Sequence, residues 1–280
     1  MIRIITDSTS DIDVEYAQEL YGGVVPLKVI INGTEYKDRM NLQPDEFYQL
    51  LQESEVLPTT SQPSPQDFLD AYQEGIKNND SIIVITLSSG ISGTYQSANI
   101  AKDLAEYDDI HVIDSLSTTQ GLRLLVEKAV RLRNEGLSVN EIVDYLEEYK
   151  TRIEVIAIVD TLEYLVKGGR LSRVSGAVGT LLKFKPIIAI KDGKLESLDK
   201  CRGIQKATEK IVEYIQEAPI DLDEPLSIGF TGSHKGLDKF ENILKENFHF
   251  ENPLYGFVGP VIGTHAGPGA KAIFYVRKKI

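Results

Sequence analysis

The chain alternates between two hydrophobic rhythms. Ile2–Thr6, Ser81–Leu87 and Ile110–Asp114 are short, nearly continuous apolar runs, as expected of strands buried on both faces of a parallel sheet. Between them lie segments of helical period, at about 12–21, 44–53, 93–104, 118–135 and 139–149, with one more opened by Ser64-Pro65-Gln66-Asp67. Asp11 is placed to cap the first. Ser64 at the cap, Pro65 at the first helical position and Asp67 at the third form a helix-start signature. Val24–Ile31 and Gly33–Tyr36 predict a hairpin turned at Asn32-Gly33. Strands alternating with helices predict an α/β layer, with ligands beyond the carboxyl ends of its strands.

The texture changes near 150–154. Val155–Val159 reads as a strand and Thr161–Lys167 as a helix. Pro186–Ile190 and Lys194–Leu198 predict a hairpin turned at Asp192-Gly193. A helix at 203–217, a strand at Leu226–Thr231, a helix at 236–247, a strand at Tyr255–Val258, a glycine-rich loop bearing His265 and a strand at Ala272–Arg277 complete the chain. Hairpins mixed with crossovers predict a mixed sheet with helices on one face. The expected class is α/β in two domains. Residues 1–152 would form a three-layer domain with a mainly parallel sheet, and residues 153–280 a two-layer domain with a mixed sheet.

Composition narrows the function. The 280 residues carry a formal net charge of −12, which disfavours nonspecific binding to nucleic acid or to anionic membranes. Cys201 is the only cysteine, so no intramolecular disulfide forms, as suits a reducing cytoplasm. Its bland reading is a partly buried small residue, although Lys200 and Arg202 flank it. No zinc or iron–sulfur spacing occurs, and no resident metal or cofactor is expected. The opening residues read as strand and turn, too polar for a signal peptide, and no apolar run approaches the length of a membrane span. Neither GxxxxGK[ST] nor a GxGxxG after the first strand is present, which disfavours ATP and NAD.

Three small-residue loops carry the candidate chemistry: Thr59–Pro65, Ser88–Tyr95 and Gly259–Gly269. Glycine-rich turns and helix starts offer backbone N–H groups to anions. With Thr60, Ser61, Ser92, Gly93 and His265 they suggest a seat for one small acidic group. Each residue also has a plainer reading, Ser92 as a helix cap, Thr60 and Ser61 as turn formers and His265 as an exposed or structural side chain. Arg170, after two glycines, can anchor an anion or be solvated. Ser92 also sits where α/β hydrolases hold a nucleophile, but Gly90-Ile91-Ser92-Gly93 falls one residue short of G-x-S-x-G. A serine hydrolase acting on acyl esters through Ser92 and His265 is therefore the alternative reading.

Taken in order, these strings resemble the DegV family, which includes the FakB-type fatty-acid-binding proteins. The resemblance rests on Ile5–Asp11, Thr60–Pro65, Ser88–Ala98, Asp114-Ser115, Tyr164-Leu165 with Gly168–Ser172, and Gly259–Gly269, and spans essentially the whole chain. It implies a long-chain fatty acid such as palmitate between or within two α/β domains. Thr60, Ser92 and His265 match the family's carboxylate-binding residues, and Arg170 its arginine near the carboxylate. Arg202 matches the arginine linked to phosphate transfer with a partner kinase. In that group the protein presents the acid to an ATP-dependent fatty acid kinase, which makes an acyl-phosphate for phospholipid synthesis. Such a role is carrier rather than stand-alone enzyme, and leaves room for transient contact with a membrane surface.

Overall fold

The structure, a computed structural model, describes residues 1–172 and 184–279. The first part contains β1 (Ile2–Asp7), α1 (Val14–Ala17), β2 (Tyr21–Val25), β3 (Lys28–Ile31), β4 (Thr34–Lys37), α2 (Pro44–Glu53), β5 (Thr59–Ser61) and α3 (Pro65–Lys77). There follow β6 (Ser81–Thr86), α4 (Thr94–Ala105), β7 (Ile110–Asp114), α5 (Thr119–Asn134) and α6 (Val139–Tyr149). The second part contains β8 (Ile153–Ile158), α7 (Glu163–Lys167), β9 (Phe184–Lys191), β10 (Lys194–Arg202), α8 (Gly203–Glu217), β11 (Ser227–Phe230), α9 (Leu237–Phe248), β12 (Leu254–Phe257), α10 (Pro260–Ala266) and β13 (Lys271–Val276).

The expected α/β class and its two sheets are present. One is a four-stranded sheet in the order β2-β1-β6-β7 with every pairing parallel. Its apolar runs are continuous because both faces are covered. Ile4, Ile83 and Ile85 pack against α5 and α6, while Ile5, Ile82 and Val84 pack against α3 and α4. Successive strand residues point to opposite faces, so each strand feeds two cores. This makes three layers. The second sheet, β10-β9-β8-β13-β11-β12, mixes antiparallel and parallel pairs. Ile156, Ile158, Ile187 and Ile273 cover one face together with α8 and α9. The other face, with Val155, Ile190, Ala272 and Phe274, turns toward Leu124 of α5. A third, small sheet in the order β4-β3-β5 sets Thr60 opposite Val29.

Three local expectations are corrected. The helix at 12–21 is only α1 flanked by two 3-10 turns, Ser8–Ser10 and Gln18–Leu20. Asp11 does not cap it. It is left-handed (φ 54°), its N–H closes the preceding turn onto Ser8, and its carboxylate is held by tertiary partners instead. The run 24–31 is not one strand. It breaks at Pro26, which has no ladder donor, and its halves join different sheets. The His265 segment is a helix rather than a loop. Pro260 sits at its first position, and Gly263 packs where a Cβ would meet Phe47 and the Tyr48 hydroxyl. The Asn32-Gly33 and Asp192-Gly193 turns form as read, with positive φ at both residues of each pair.

Candidate functional site

A cavity of about 310 Å³ lies against the open face of the second sheet, within the size range of small-molecule pockets. Its floor is aliphatic and aromatic, with Val155, Ala157, Ile188, Ile190, Ala272 and Phe274. Small residues sit at the middle of that floor, where Ala157 pairs with Ala272 on one side and Ile188 on the other. Leu27, Leu87 and Ile91 from the first part of the chain, Val258 from the segment between β12 and α10, and Val261 and Ile262 from α10 close it.

The five candidate polar side chains in the wall gather from four segments of the chain. Thr60 and Ser61 come from β5, Ser92 from the turn before α4, Arg170 from the segment after α7, and His265 from the last turn of α10. The capping box of Ser64 and Asp67 starts α3 and fixes where β5 must end. Thr60 Oγ1 lies 2.8 Å from His265 Nε2. His265 Nδ1 is buried with no hydrogen-bond partner and presses on Gly168, where a Cβ would overlap it. Burial, reinforced by the positive charge of Arg170, lowers the His265 pKa to about 4, so the ring is neutral at physiological pH.

Arg170 is half-buried. Its Nε donates to the Ile91 carbonyl at 3.2 Å and its Nη1 to the Gly168 carbonyl at 2.7 Å, which ties Gly168, beside His265, to the loop that leads into Ser92. Desolvation lowers the pKa of this guanidinium. Ser92 Oγ sits 2.9 Å from Thr94 Oγ1 and accepts from the Thr94 N–H at 3.3 Å. Ser92 thus serves as a local turn former as well as a cavity wall. The hydrogen bonds of His265 run to Thr60 and those of Ser92 to Thr94, so this arrangement builds no Ser–His pair. Neutral hydroxyl and imidazole groups beside a guanidinium cation, in the wall of a largely apolar cavity, suit a carboxylate. Burying that charge is tolerable only where hydrogen bonds satisfy it.

Two of the seven candidate residues stand outside this wall. Gly93 is the N-cap of α4 and lies behind it, with no room for a Cβ because Gln62 fills that space. Arg202 ends β10 opposite Phe184, exposed and outside the cavity lining. Sequence reasoning missed Gln62, Thr118, Thr119, Thr231 and Lys271, which also line the cavity. Gln62 binds the Ser97 hydroxyl at 3.0 Å and so braces β5 against α4. Thr119 was detectable only as an ordinary helix start, yet it holds a left-handed φ of 46°. Two glycines of Gly259–Gly269 permit close packing. Gly267 leaves space for Tyr164, and Gly269 for Asp160.

Among the described residues no helix is long and apolar enough to cross a membrane, and no group of three or more His, Cys, Asp or Glu side chains is arranged to hold a metal ion.

Comparison with known proteins agrees with this architecture. The family model described as an uncharacterised protein of the DegV family matches residues 1–278. A DegV domain-containing protein of Caldanaerobacter subterraneus subsp. tengcongensis is 40% identical over 278 residues, 99% of each chain. A DegV family protein of Thermus thermophilus, described as fatty acid binding, superposes with a TM-score of 0.88 at 31% identity, covering 99% of both chains. A stearic-acid-binding protein of Eubacterium ventriosum superposes with a TM-score of 0.87 at 27% identity, again over 99% of both chains. In sequence over nearly its whole length, and in fold, this chain belongs to the DegV family.

Proposed function

We propose that this protein binds one long-chain fatty acid without a covalent bond and presents it to a partner, an ATP-dependent fatty acid kinase that forms the acyl-phosphate. Thr60, Ser92 and His265 hold the carboxylate, Ser61 lines its seat, and Arg170 supplies nearby positive charge. Gly93 keeps the turn behind Ser92 compact. The observation that carries this reading is an apolar cavity whose wall includes the Thr60–His265 contact with Arg170 beside it. The structural neighbours described as binding fatty acids support it.

Energetics support a carrier. A sixteen-carbon acid buries about 15 methylene and methyl groups at roughly 0.8 kcal/mol each, a gross gain of about 12 kcal/mol. Ordering the tail and losing translational freedom remove a sizeable part. The tail then supplies affinity, while the head-group contacts set orientation. Arg202 stands clear of the cavity at the start of α8, a position suited to meeting a kinase rather than the acid. We also take residues 1–152 and 153–280 as two domains. In support, the four-stranded sheet draws its strands only from the first segment and the six-stranded sheet only from the second.

The test is mass spectrometry of the purified protein, native and then denatured with organic extraction. The expected result is a mass excess of one long-chain fatty acid, lost on extraction. An adduct that survives denaturation would instead favour acyl-ester chemistry at Ser92. Absence of any adduct, with no uptake of added acid, would refute the carrier reading. A purified candidate kinase with ATP should then phosphorylate the bound acid, and Arg202→Ala should slow that step without releasing the acid.

A further inference from the structure

The loop that carries Ser92 is gripped from the second part of the chain. Ser88, just after β6, is fully buried, and its Oγ donates to the Gly193 carbonyl at 2.6 Å. Gly193 is the second residue of the turn between β9 and β10, with a φ of 74°. The same Oγ accepts from the Gly90 N–H at 3.2 Å, so one hydroxyl stitches the two turns together. Their backbones also touch. A Cβ at Gly90 would overlap the Gly193 oxygen, and one at Gly193 would lie 2.6 Å from Ser88 Oγ. Only glycine permits so close an approach.

The root of this loop is fixed within the first part of the chain. The Leu87 N–H donates to Asp7 Oδ2 at 2.6 Å, the Ser88 N–H to the Ser117 carbonyl at 2.9 Å and the Ser89 N–H to Asp114 Oδ1 at 3.1 Å. Beyond Ser88 the support changes. Ile91 and Ser92 both donate their N–H groups to the Ser88 carbonyl, at 3.2 and 3.1 Å. Gly90 is exposed, and Ile91 and Ser92 are half-buried, so burial alone does not hold this turn. Two bonds to the second part do: Ser88 to Gly193, and Arg170 Nε to the Ile91 carbonyl. Gly193 belongs to the hairpin whose Ile188, Ala189, Ile190 and Leu195 line the cavity. The hairpin that floors the cavity therefore also braces the turn that brings Ser92 to its wall.

We propose that Ser88 is a positioning residue for the head-group seat: its hydroxyl clamps the Gly90–Ser92 turn to the β9–β10 turn, and Ser92 is presented to a carboxylate only while that clamp is closed. Removing the hydroxyl leaves the Gly193 carbonyl and the Gly90 N–H without this partner, an unfavourable state that the turn relieves by moving. The floor that meets the tail stays in place, because β9 remains paired with β8. The consequence for ligand affinity rests on the fatty-acid reading, whereas the consequence for the turn does not.

The test compares palmitate with hexadecanol, which has the same tail length and no carboxylate, in Ser88→Ala and Gly193→Ala. The second variant attacks the clamp from the other side, since its methyl would press on Ser88 Oγ and alanine is strained at positive φ. Each variant should bind palmitate about tenfold more weakly than wild type, the worth of roughly one hydrogen bond, with hexadecanol affinity little changed. Partial unfolding lowers both affinities alike, so their ratio isolates positioning. The double variant should bind no more weakly than the weaker single one. In the ligand-free variants, amide hydrogen exchange should quicken at Ile91 and Ser92 and keep its wild-type rate at Ile83 and Val84 of β6. Equal losses for the two ligands, or no loss for palmitate, would overturn the proposal. If wild type takes up no palmitate, the carrier reading falls and exchange decides this one: unchanged rates at Ile91 and Ser92 in both variants overturn the clamp, and faster rates uphold it.

Discussion

Thr60 and His265 stand 205 positions apart in sequence and meet at 2.8 Å. β5 brings the first as a short third strand beside β3, and the last turn of α10 brings the second. Each holds the other in place, so neither is free to reorient when a carboxylate arrives. Hydrogen bonds to charged groups are worth roughly 1.5–3 kcal/mol. Thr60→Val and His265→Ala should each weaken palmitate binding by one to two orders of magnitude by this measure, with far-UV circular dichroism unchanged. Because both variants break the same contact, the double variant should lose less than the sum of the single losses. Additive losses, measured by fluorescent displacement, would mean that the two residues act independently.

The same histidine gives a pH signature of folding. Its unfolded value lies near 6.5, and burial lowers the folded value to about 4. Between these limits the unfolded chain takes up a proton that the folded chain refuses. Stability contributed by the neutral ring is therefore complete above about pH 6.5 and is lost as pH falls to about 4. Asp7, buried and raised to about 6, acts with the opposite sign in part of this window. The informative quantity is thus the difference between wild type and His265→Gln. Urea unfolding should show wild type losing stability relative to the variant across that interval, and a constant difference would contradict the assignment.

Gly168 offers a change that does not touch the ligand. Its φ is negative, so alanine suits the backbone, yet the new methyl would overlap the His265 ring at Nδ1. The neighbouring Arg170 bond to the Gly168 carbonyl would be strained with it. Gly168→Ala should lower palmitate affinity about tenfold while costing only about 1 kcal/mol of stability, a modest overpacking penalty. Isothermal titration and thermal melts together check this. Loss of folding with no selective loss of affinity would show that Gly168 serves the core rather than the site.

Much of the frame was legible in the sequence because burial on two faces writes itself as continuous apolar runs. Ser81–Leu87 and Ile110–Asp114 were read as strands, and β6 and β7 occupy them to within a residue. Helix α6 was read at 139–149 and spans those residues. Short, tertiary-dependent pieces were not legible. Thr59–Ser61 reads as a loop and becomes a strand only because β3 offers an edge. Gly259–Gly269 reads as glycine-rich loop, yet α10 forms there from Pro260 at its first position, and Gly263 and Gly267 let it pack closely on Phe47, Tyr48 and Tyr164. Residue type alone marks the seven candidate residues, and five of them line one cavity. The aliphatic floor went unseen, since a strand residue facing a cavity has the same identity as one facing a core.

Ala157 tests that floor. It lies mid-strand in β8, beside Ala272 and Ile188 on the cavity face, and carries the smallest side chain that still forms a strand wall. Ala157→Leu would project three more carbons into the space a fatty-acid tail would occupy. Each methylene kept from the cavity forfeits about 0.8 kcal/mol, or about fourfold in affinity. Stability without ligand should hold or rise, since the added carbons enter existing space instead of displacing packed neighbours. The expected pattern is therefore a change in chain-length profile: long acids weakened by ten- to a hundredfold, short acids little affected, because the head-group residues are untouched. A displacement series from about eight to about eighteen carbons reads this directly. Equal weakening at every length would place Ala157 beside the carboxylate instead of the tail and would reverse the orientation of the ligand.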